Sequence, residues 1–540
     1  MITRIFQNKR DNAAILVFGF ILVAFFLWIM FAGGCGRGDV ADTDKTKSDA
    51  HGVYRIGDVD GDWGYPTPFT AYPRGPGYTR VSYIFDTLVW KDEDEFVPAL
   101  AEEWEYDEDS FTYIFELREG IKWHDGEELT ASDVIFTFEY LQEKGFNWAD
   151  LSVIEEVSKS GKNEVEITLG QPMGAFMDSI AGVVTILPEH VWQGVENPGE
   201  FSEPEAVIGS GPYKLEEYDR DKGSYRFSSN DDYYLGEPEY EELHFIKVSE
   251  PQMAVQRGDV NFARVEPEAV SQLEEQELEV ISGSHDWNLK LMFNHREEPF
   301  NKVGFRRALG YFIDNEQIIE RALRGHGLEG SPGMISPDSR WHSEKLPDYN
   351  YDPDKGKDKL ESLGYEKEEG IFRDEGGDKL ELEVYTRGDY SREGELVGEF
   401  LNEAGIKTSV RSFESSVLDD RIKNWDFELA INGHGGVGSD PEGISRFMVG
   451  EISPHINIQY DDPGLVDKLQ AQSKEVEESK RKELIEKVQK IYADELPAYT
   501  IYYPTWYYAH DGEVKWFFTK DGLAHGIPLP LNKLALIDLE

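Results

Sequence analysis

The chain has 540 residues, with 106 Asp and Glu against 54 Lys and Arg, a formal net charge of −52 and one cysteine. So acidic a field repels nucleic acid and anionic lipid headgroups and suits solubility in high salt, and a lone cysteine excludes a disulfide framework or a thiolate metal site. The length exceeds what one core organises, so at least two lobes are expected.

Arg4, Lys9 and Arg10 precede an apolar run that starts at Ala13, AAILVFGFILVAFFLWIMFAGG. A basic head, an apolar middle and the small residues Ala32, Gly33 and Gly34 before Cys35 read as a lipoprotein secretory signal. On that reading residues 1–34 are removed and Cys35 becomes the lipid-modified first residue. The run is also about 20 residues, roughly the length that spans a bilayer, so an uncleaved signal anchor is the alternative. Both readings put the bulk of the protein outside the cytoplasm. Residues 35–52 are small and polar without an apolar period and read as a flexible tether.

Regular structure is expected from Val53, where VYRIGDV reads as a strand. The Gly/Pro-rich stretch DGDWGYPTPFTAYPRGPG follows, and its Trp63, Tyr65, Phe69 and Tyr72 are expected to be displayed rather than buried. FTYIFELREG alternates with the period of a strand. After a turn at HDGE, Thr130 and Asp133 stand at capping-box spacing before a helix with Val134, Ile135, Phe138 and Leu141 on one face. FRRALGYFIDNEQIIERAL carries a helical stripe of Phe305, Ala308, Leu309, Phe312 and Ile313; KRKELIEKVQKIYADELP carries another of Leu484, Ile485, Val488, Ile491 and Tyr492, stopped near Pro497. The runs VEITL, LHFIKV, LELEVYT and FELAING are strand-like, so helices and strands intermix in an α/β chain with more than one sheet.

Three stretches resemble sites. Asp58, Asp60 and Asp62 in DVDGDW match the first ligand spacings of a calcium loop, but Trp63 and Phe69 stand where Gly and Glu are required, so an acidic turn is expected. His124 and Asp125 in WHDG lack a nucleophile elbow and read as a turn. NGHGGVGSDPEG, 432–443, lacks the G-K-[ST] ending of a phosphate cradle, and its glycines suit a loop facing a ligand. No H-E-x-x-H and no other catalytic constellation stands above the acidic background. A binding protein is therefore expected rather than an enzyme, with no cofactor and no metal.

The ordered motifs carry a resemblance. YIFDTLVWKDEDEFVPALAEEWEYDEDSFTYIFELREGIKWHDGEELTASDVIFTFEYL (83–141), GSGPYKLEEY from Gly209, SSNDDYYLGEPEYEELHF from Ser228, FNHREEPFNKVGFRRALGYFID from Phe293, KLESLGY from Lys359 and KRKELIEKVQKIYADELPAYTIYYPTWYYAH follow one another. Together they resemble the extracellular solute-binding proteins of family 5, receptors of oligopeptide and dipeptide ABC importers. The resemblance implies an α/β, bilobal periplasmic-binding-protein-like fold of type II, with a hinge between lobes and an extra subdomain in lobe one. Residues 53–87, 207–287 and 505–540 would build lobe one, 88–206 the extra subdomain and 288–504 lobe two. It further implies peptide capture by lobe closure, delivery to ABC transporter permease subunits, a membrane link through the lipid on Cys35, a monomer, and no nucleic-acid partner.

Candidate ligand-binding residues are Trp63, Tyr65 and Phe69 in the aromatic loop, Asn294 in FNHREEPF, and Asn432, His434 and Asp440 in the glycine-rich stretch. Peptide-binding members hold the ligand's α-amino group with an aspartate in a segment resembling W-G-A-D-Y-x-D-P. Val437 stands at that place here, so Asp440, Asp60 or Asp62 would have to substitute. Oligosaccharide or another small solute is the alternative ligand, since the aromatic loop could stack on sugars. An extracellular hydrolase and a surface sensor are the other classes weighed.

Overall fold

A computed structural model describes residues 52–73, 75–283, 285–435, 440–444, 458, 460, 462–522 and 529–537. Cys35, the apolar run and Val437 lie outside them. Among the described residues no helix is long and apolar enough to cross a membrane.

The strand Val53–Asp58 buries Tyr54 and Ile56 on one face, and it pairs in parallel with both Glu242–Lys247 and Phe262–Val265. It lies at the middle of a seven-stranded sheet in the order Glu279–Gly283, Trp506–His510, Phe262–Val265, Val53–Asp58, Glu242–Lys247, Ser224–Ser229, Tyr213–Asp219. The strand nearest the carboxyl end is thus inserted between two from the middle of the chain. Beneath the sheet, fully buried Arg80 bonds Asp58 at 2.7 Å and lies 4.3 Å over the Phe245 ring, so its charge is both paired and covered.

A four-stranded antiparallel sheet, in the order Ala101–Asp107, Thr112–Leu117, Glu164–Leu169, Ile154–Lys159, shares one apolar core with the seven-stranded sheet. The helix Ala131–Lys144 packs on it and starts as its sequence dictates: Thr130 and Asp133 form a reciprocal capping box. Val134, Phe138 and Leu141 are buried and Ile135 is half-buried.

A second large sheet has six strands, in the order Gly327–Glu329, Ala498–Pro504, Asn288–Phe293, Leu429–His434, Glu381–Arg387, Lys407–Phe413. Both of its faces are covered. Leu289, Leu291 and Phe293 enter one core, while Met292 and Ala430 enter the core on the opposite face. The stripe expected over FRRALGYFIDNEQIIERAL is buried, but no single helix carries it: Phe305, Ala308 and Leu309 lie in the helix Val303–Tyr311, Phe312 and Ile313 follow its end, and a second helix, Asn315–Leu323, begins after them. Asp314 makes the break by accepting from the Gln317 amide at 2.9 Å as the second helix's N-cap.

The chain crosses between the large sheets twice, from Gly283 to Asn288 and, through the single residue Thr505, from Pro504 to Trp506. Two large sheets, each with its own packed layers, and two crossings between them make the molecule bilobal.

Candidate functional site

Where the crossings meet the lobes lies a cavity of about 730 Å³, within the range of small-molecule sites. The first lobe supplies Glu93, Asp94 and the stretch Trp516 to Gly522; the first crossing supplies His285 and Asp286; the second lobe supplies Asp338, Ser339 and Arg340. Charges therefore face one another from both sides. Arg340 Nε lies 3.1 Å from Asp521 Oδ2 across the lobes, and its Nη1 lies 3.5 Å from Glu478 in its own lobe. Burial lifts the Asp521 carboxyl above its ordinary range, against the pull of Lys91 and Arg340. Desolvation also acts to raise Asp338, but hydrogen bonds from His285 and Ser336 outweigh it and hold that carboxyl low.

Beside this cavity the second sheet presents polar side chains where a core would be expected. Asn288 faces His434 and Lys290 faces Asn432 across paired strands, on the face continued by Met292 and Ala430. All four polar residues are buried. Lys290 Nζ donates to His434 Nε2 at 2.6 Å, and His434 Nδ1 donates to the Gly435 carbonyl at 2.9 Å, so the imidazole serves as a neutral acceptor. Burial pushes the Lys290 ammonium down to about 7. Asn288, which opens its strand two residues after the cavity-lining Asp286, leaves both amide atoms without a hydrogen-bond partner. A buried amide in that state is ready to meet an incoming donor and acceptor.

The lobes also touch away from the crossings. Gly174, just after the strand Glu164–Leu169, donates its amide to the Ser473 carbonyl at 2.8 Å, and a Cβ on it would sit 2.2 Å from the Glu475 carbonyl oxygen. Asp440 is held by Arg481 through two bonds of 2.6 Å, both residues being buried. Facing them, Asp178 lies beside Lys91 at 3.4 Å; its carboxyl is raised by burial, opposed by Lys91 and reinforced by Asp440.

The expected site residues divide. Asn432 and His434 share the polar wall, and Asp440 sits at the contact with Arg481. Asn294 donates to the Trp425 and Phe427 carbonyls at 3.1 and 2.9 Å and anchors a turn. Trp63 donates to Asp58 at 2.7 Å, Tyr65 packs edge-on to Tyr218, and Phe69 packs on Trp192. These three line no part of the 730 Å³ cavity and are half-buried rather than displayed; of the loop's four aromatics only Tyr72, 44% exposed, is displayed. The loop folds back on the lobe because Asp58 and Asp62, the would-be calcium ligands, are bonded to Trp63 and to Tyr218. Among the described residues no group of three or more His, Cys, Asp or Glu is placed to hold a metal ion. His124 is a half-buried turn residue that accepts from Gly209, with its pKa pushed down to about 4 by desolvation. Sequence reasoning missed Asn288 and Lys290, whose only signal was polar residues alternating in NLKLMF.

Comparison with known proteins agrees with this architecture. The chain is similar to the oligopeptide-binding protein AppA of Bacillus subtilis, 27% identical over 527 residues that cover 92% of this chain and 94% of AppA. It is similar to the dipeptide-binding protein of Escherichia coli, 25% identical over 461 residues, covering 78% of this chain and 83% of that protein. The solved structure of Bacillus subtilis AppA in complex with a nonapeptide superposes with a TM-score of 0.67 at 22% identity, covering 91% of this chain and 99% of that one. The sequence profile of the bacterial extracellular solute-binding proteins, family 5 Middle, matches residues 95–451, and the chain belongs to that family.

Proposed function

We propose that this protein is the extracytoplasmic receptor of an ABC importer and that it captures peptides in the cleft between its lobes. The observation that carries the reading is the 730 Å³ cavity with charged groups from both lobes, in a chain whose relatives are named for peptide binding. Peptide enters between the lobes, closure expels water, and each polar contact then acts in a less screened medium. Asp521, destabilised as an anion by burial, takes the peptide's ammonium group and regains a stable charge. Asn288, with Asn432 and His434 beside it, meets the peptide backbone from the second lobe. Asp440 and Arg481 brace the wall, while Trp63, Tyr65 and Phe69 pack within lobe one and line no part of the cavity. Nothing is chemically changed in this cycle.

The residues of lobe one, its extra subdomain and lobe two are taken as 53–87 with 207–287 and 505–540, 88–206, and 288–504. Acylated Cys35 would hold the receptor at the membrane, raising its effective concentration near the permease. The working form is a monomer.

The test is a thermal-shift screen of the fragment after Cys35 against pooled peptides, the same peptides N-acetylated, and pooled oligosaccharides. Ligands that bind only the folded state raise Tm by mass action. A shift with free peptides that acetylation removes supports both the class and the ammonium contact. A shift with sugars alone overturns the peptide assignment.

A further inference from the structure

The second lobe holds a cavity of about 560 Å³ that shares no lining residue with the one between the lobes. Its wall carries Asp314, Glu316, Glu329, Glu344 and Asp348, and neither Lys nor Arg. Lys345, flanked by two lining residues, instead reaches Glu486 at 3.2 Å. Asp314 is occupied as a helix cap, and Asp348 accepts from the Asn350 amide at 2.7 Å. Glu316, Glu329 and Glu344 have no such local duty among the described residues. Desolvation, then Glu316, Asp314 and Asp348, hold the Glu329 carboxyl above its ordinary range, so like charges are concentrated here against their own repulsion.

Two further features point to a ligand. Asn315, a lining residue only 8% exposed, leaves its Oδ1 acceptor without a partner while its Nδ2 donates to the Thr500 carbonyl at 3.4 Å. Tyr349 and Tyr499 are buried in the wall, whereas Tyr351, 43% exposed, is one of the few large apolar side chains on the surface. Acceptors and carboxylates around aromatic rings, without a cation, are what a protonated amine requires. The carboxylates are spread around the cavity, and no trio of them is placed to ligate a metal ion.

We propose that this cavity is a second binding site, for a linear di- or polyamine whose ammonium groups are held by Glu316, Glu329 and Asn315 while its methylene stem lies on Tyr351. The site is separate from peptide capture and does not rest on it.

Isothermal titration calorimetry with spermidine tests this, at about 0.15 M salt so that exposed charges farther apart than about 8 Å are largely screened. One saturable site is expected. Glu316→Gln with Glu329→Gln should weaken it roughly 100-fold and Tyr351→Ala about ten-fold, each ten-fold step being one lost contact. The melting temperature of each variant shows whether it is folded. The same isotherm in the folded double variant would mean that spermidine is spread over the acidic surface, and would overturn the proposal. So would the absence of saturable binding, or competition by magnesium at equal concentration. Peptide binding measured in the same double variant should be unchanged, so failure of the amine site and failure of the peptide reading are read separately.

Discussion

His285 and Thr505 are hydrogen-bonded, Nε2 to Oγ1 at 2.8 Å, and they stand on the two different segments that cross between the lobes. The other imidazole nitrogen, Nδ1, is 2.5 Å from Asp338 of the second lobe. One side chain thus ties both crossings to a second-lobe wall of the cavity, so the crossings bend as a pair. Replacing His285 with Ala should leave the fold intact, because each lobe keeps its own core, but should loosen the closed arrangement. Bonds of this kind contribute about 1.5–3 kcal/mol when one partner is charged. Ligand dissociation should accelerate by about ten-fold or more, with a much smaller change in the unliganded melting temperature. Stopped-flow dissociation beside calorimetry measures both, and an unchanged off-rate would refute the coupling.

Lys290 predicts a pH dependence. Its folded value of about 7 lies below the ordinary 10.5. Below the folded value the ammonium is charged in folded and unfolded chains alike, and the cost of burying it is carried in full. As pH rises through the window the unfolded chain holds the extra proton, so stability rises with pH, by at most about 1.4 kcal/mol per unit. Lys290→Met removes this contribution. Urea unfolding of both proteins between about pH 7 and about pH 9 should show a shallower slope for the variant. Parallel slopes would mean that Lys290 is not buried as a cation.

Asp440 and Arg481 form a buried, bidentate pair. Removing one partner strands the other charge, so Asp440→Asn should cost about 3–5 kcal/mol of unfolding free energy. Asp440→Leu combined with Arg481→Met should cost less than the single change, since no charge is left unpaired. Chemical denaturation of the three proteins checks the order; a double variant less stable than Asp440→Asn would contradict it.

Much of this was legible in the sequence because the signals were local. The capping box at Thr130 and Asp133, and the strand-like runs VEITL and FELAING, act within a few residues and gave elements where expected. The split after Tyr311 had a signal too, Asp314 before Asn315, outweighed by a continuous apolar stripe. The site was less legible because its partners are distant in sequence. Asp440 was singled out, but Arg481 lies 41 residues on. Lys290 in a strand reads as facing water, and only the layer packed over that face of the sheet turns it into a buried base. The aromatic loop misled for the same reason: nothing local shows that Tyr218 and Trp192 come back to cover Tyr65 and Phe69.

Gly174 gives a direct test of closure. Its amide donates to the Ser473 carbonyl, and its missing side chain lets the Glu475 carbonyl approach to where a Cβ would be 2.2 Å away. No real Cβ tolerates such a distance, and the obstacle is backbone, which cannot swing aside as a side chain would. Ser473 and Glu475 belong to the second lobe, whereas Gly174 follows the four-stranded sheet of the first. Gly174→Val should therefore hold the lobes apart without disturbing either core. Affinity for peptide should fall by about 100-fold or more, since about 3 kcal/mol of closing contacts would be lost, while the unliganded protein should melt close to the parent. Small-angle scattering with saturating ligand should show the variant more extended than the parent. A variant that binds and compacts like the parent would show that the contact at Gly174 is dispensable for closure.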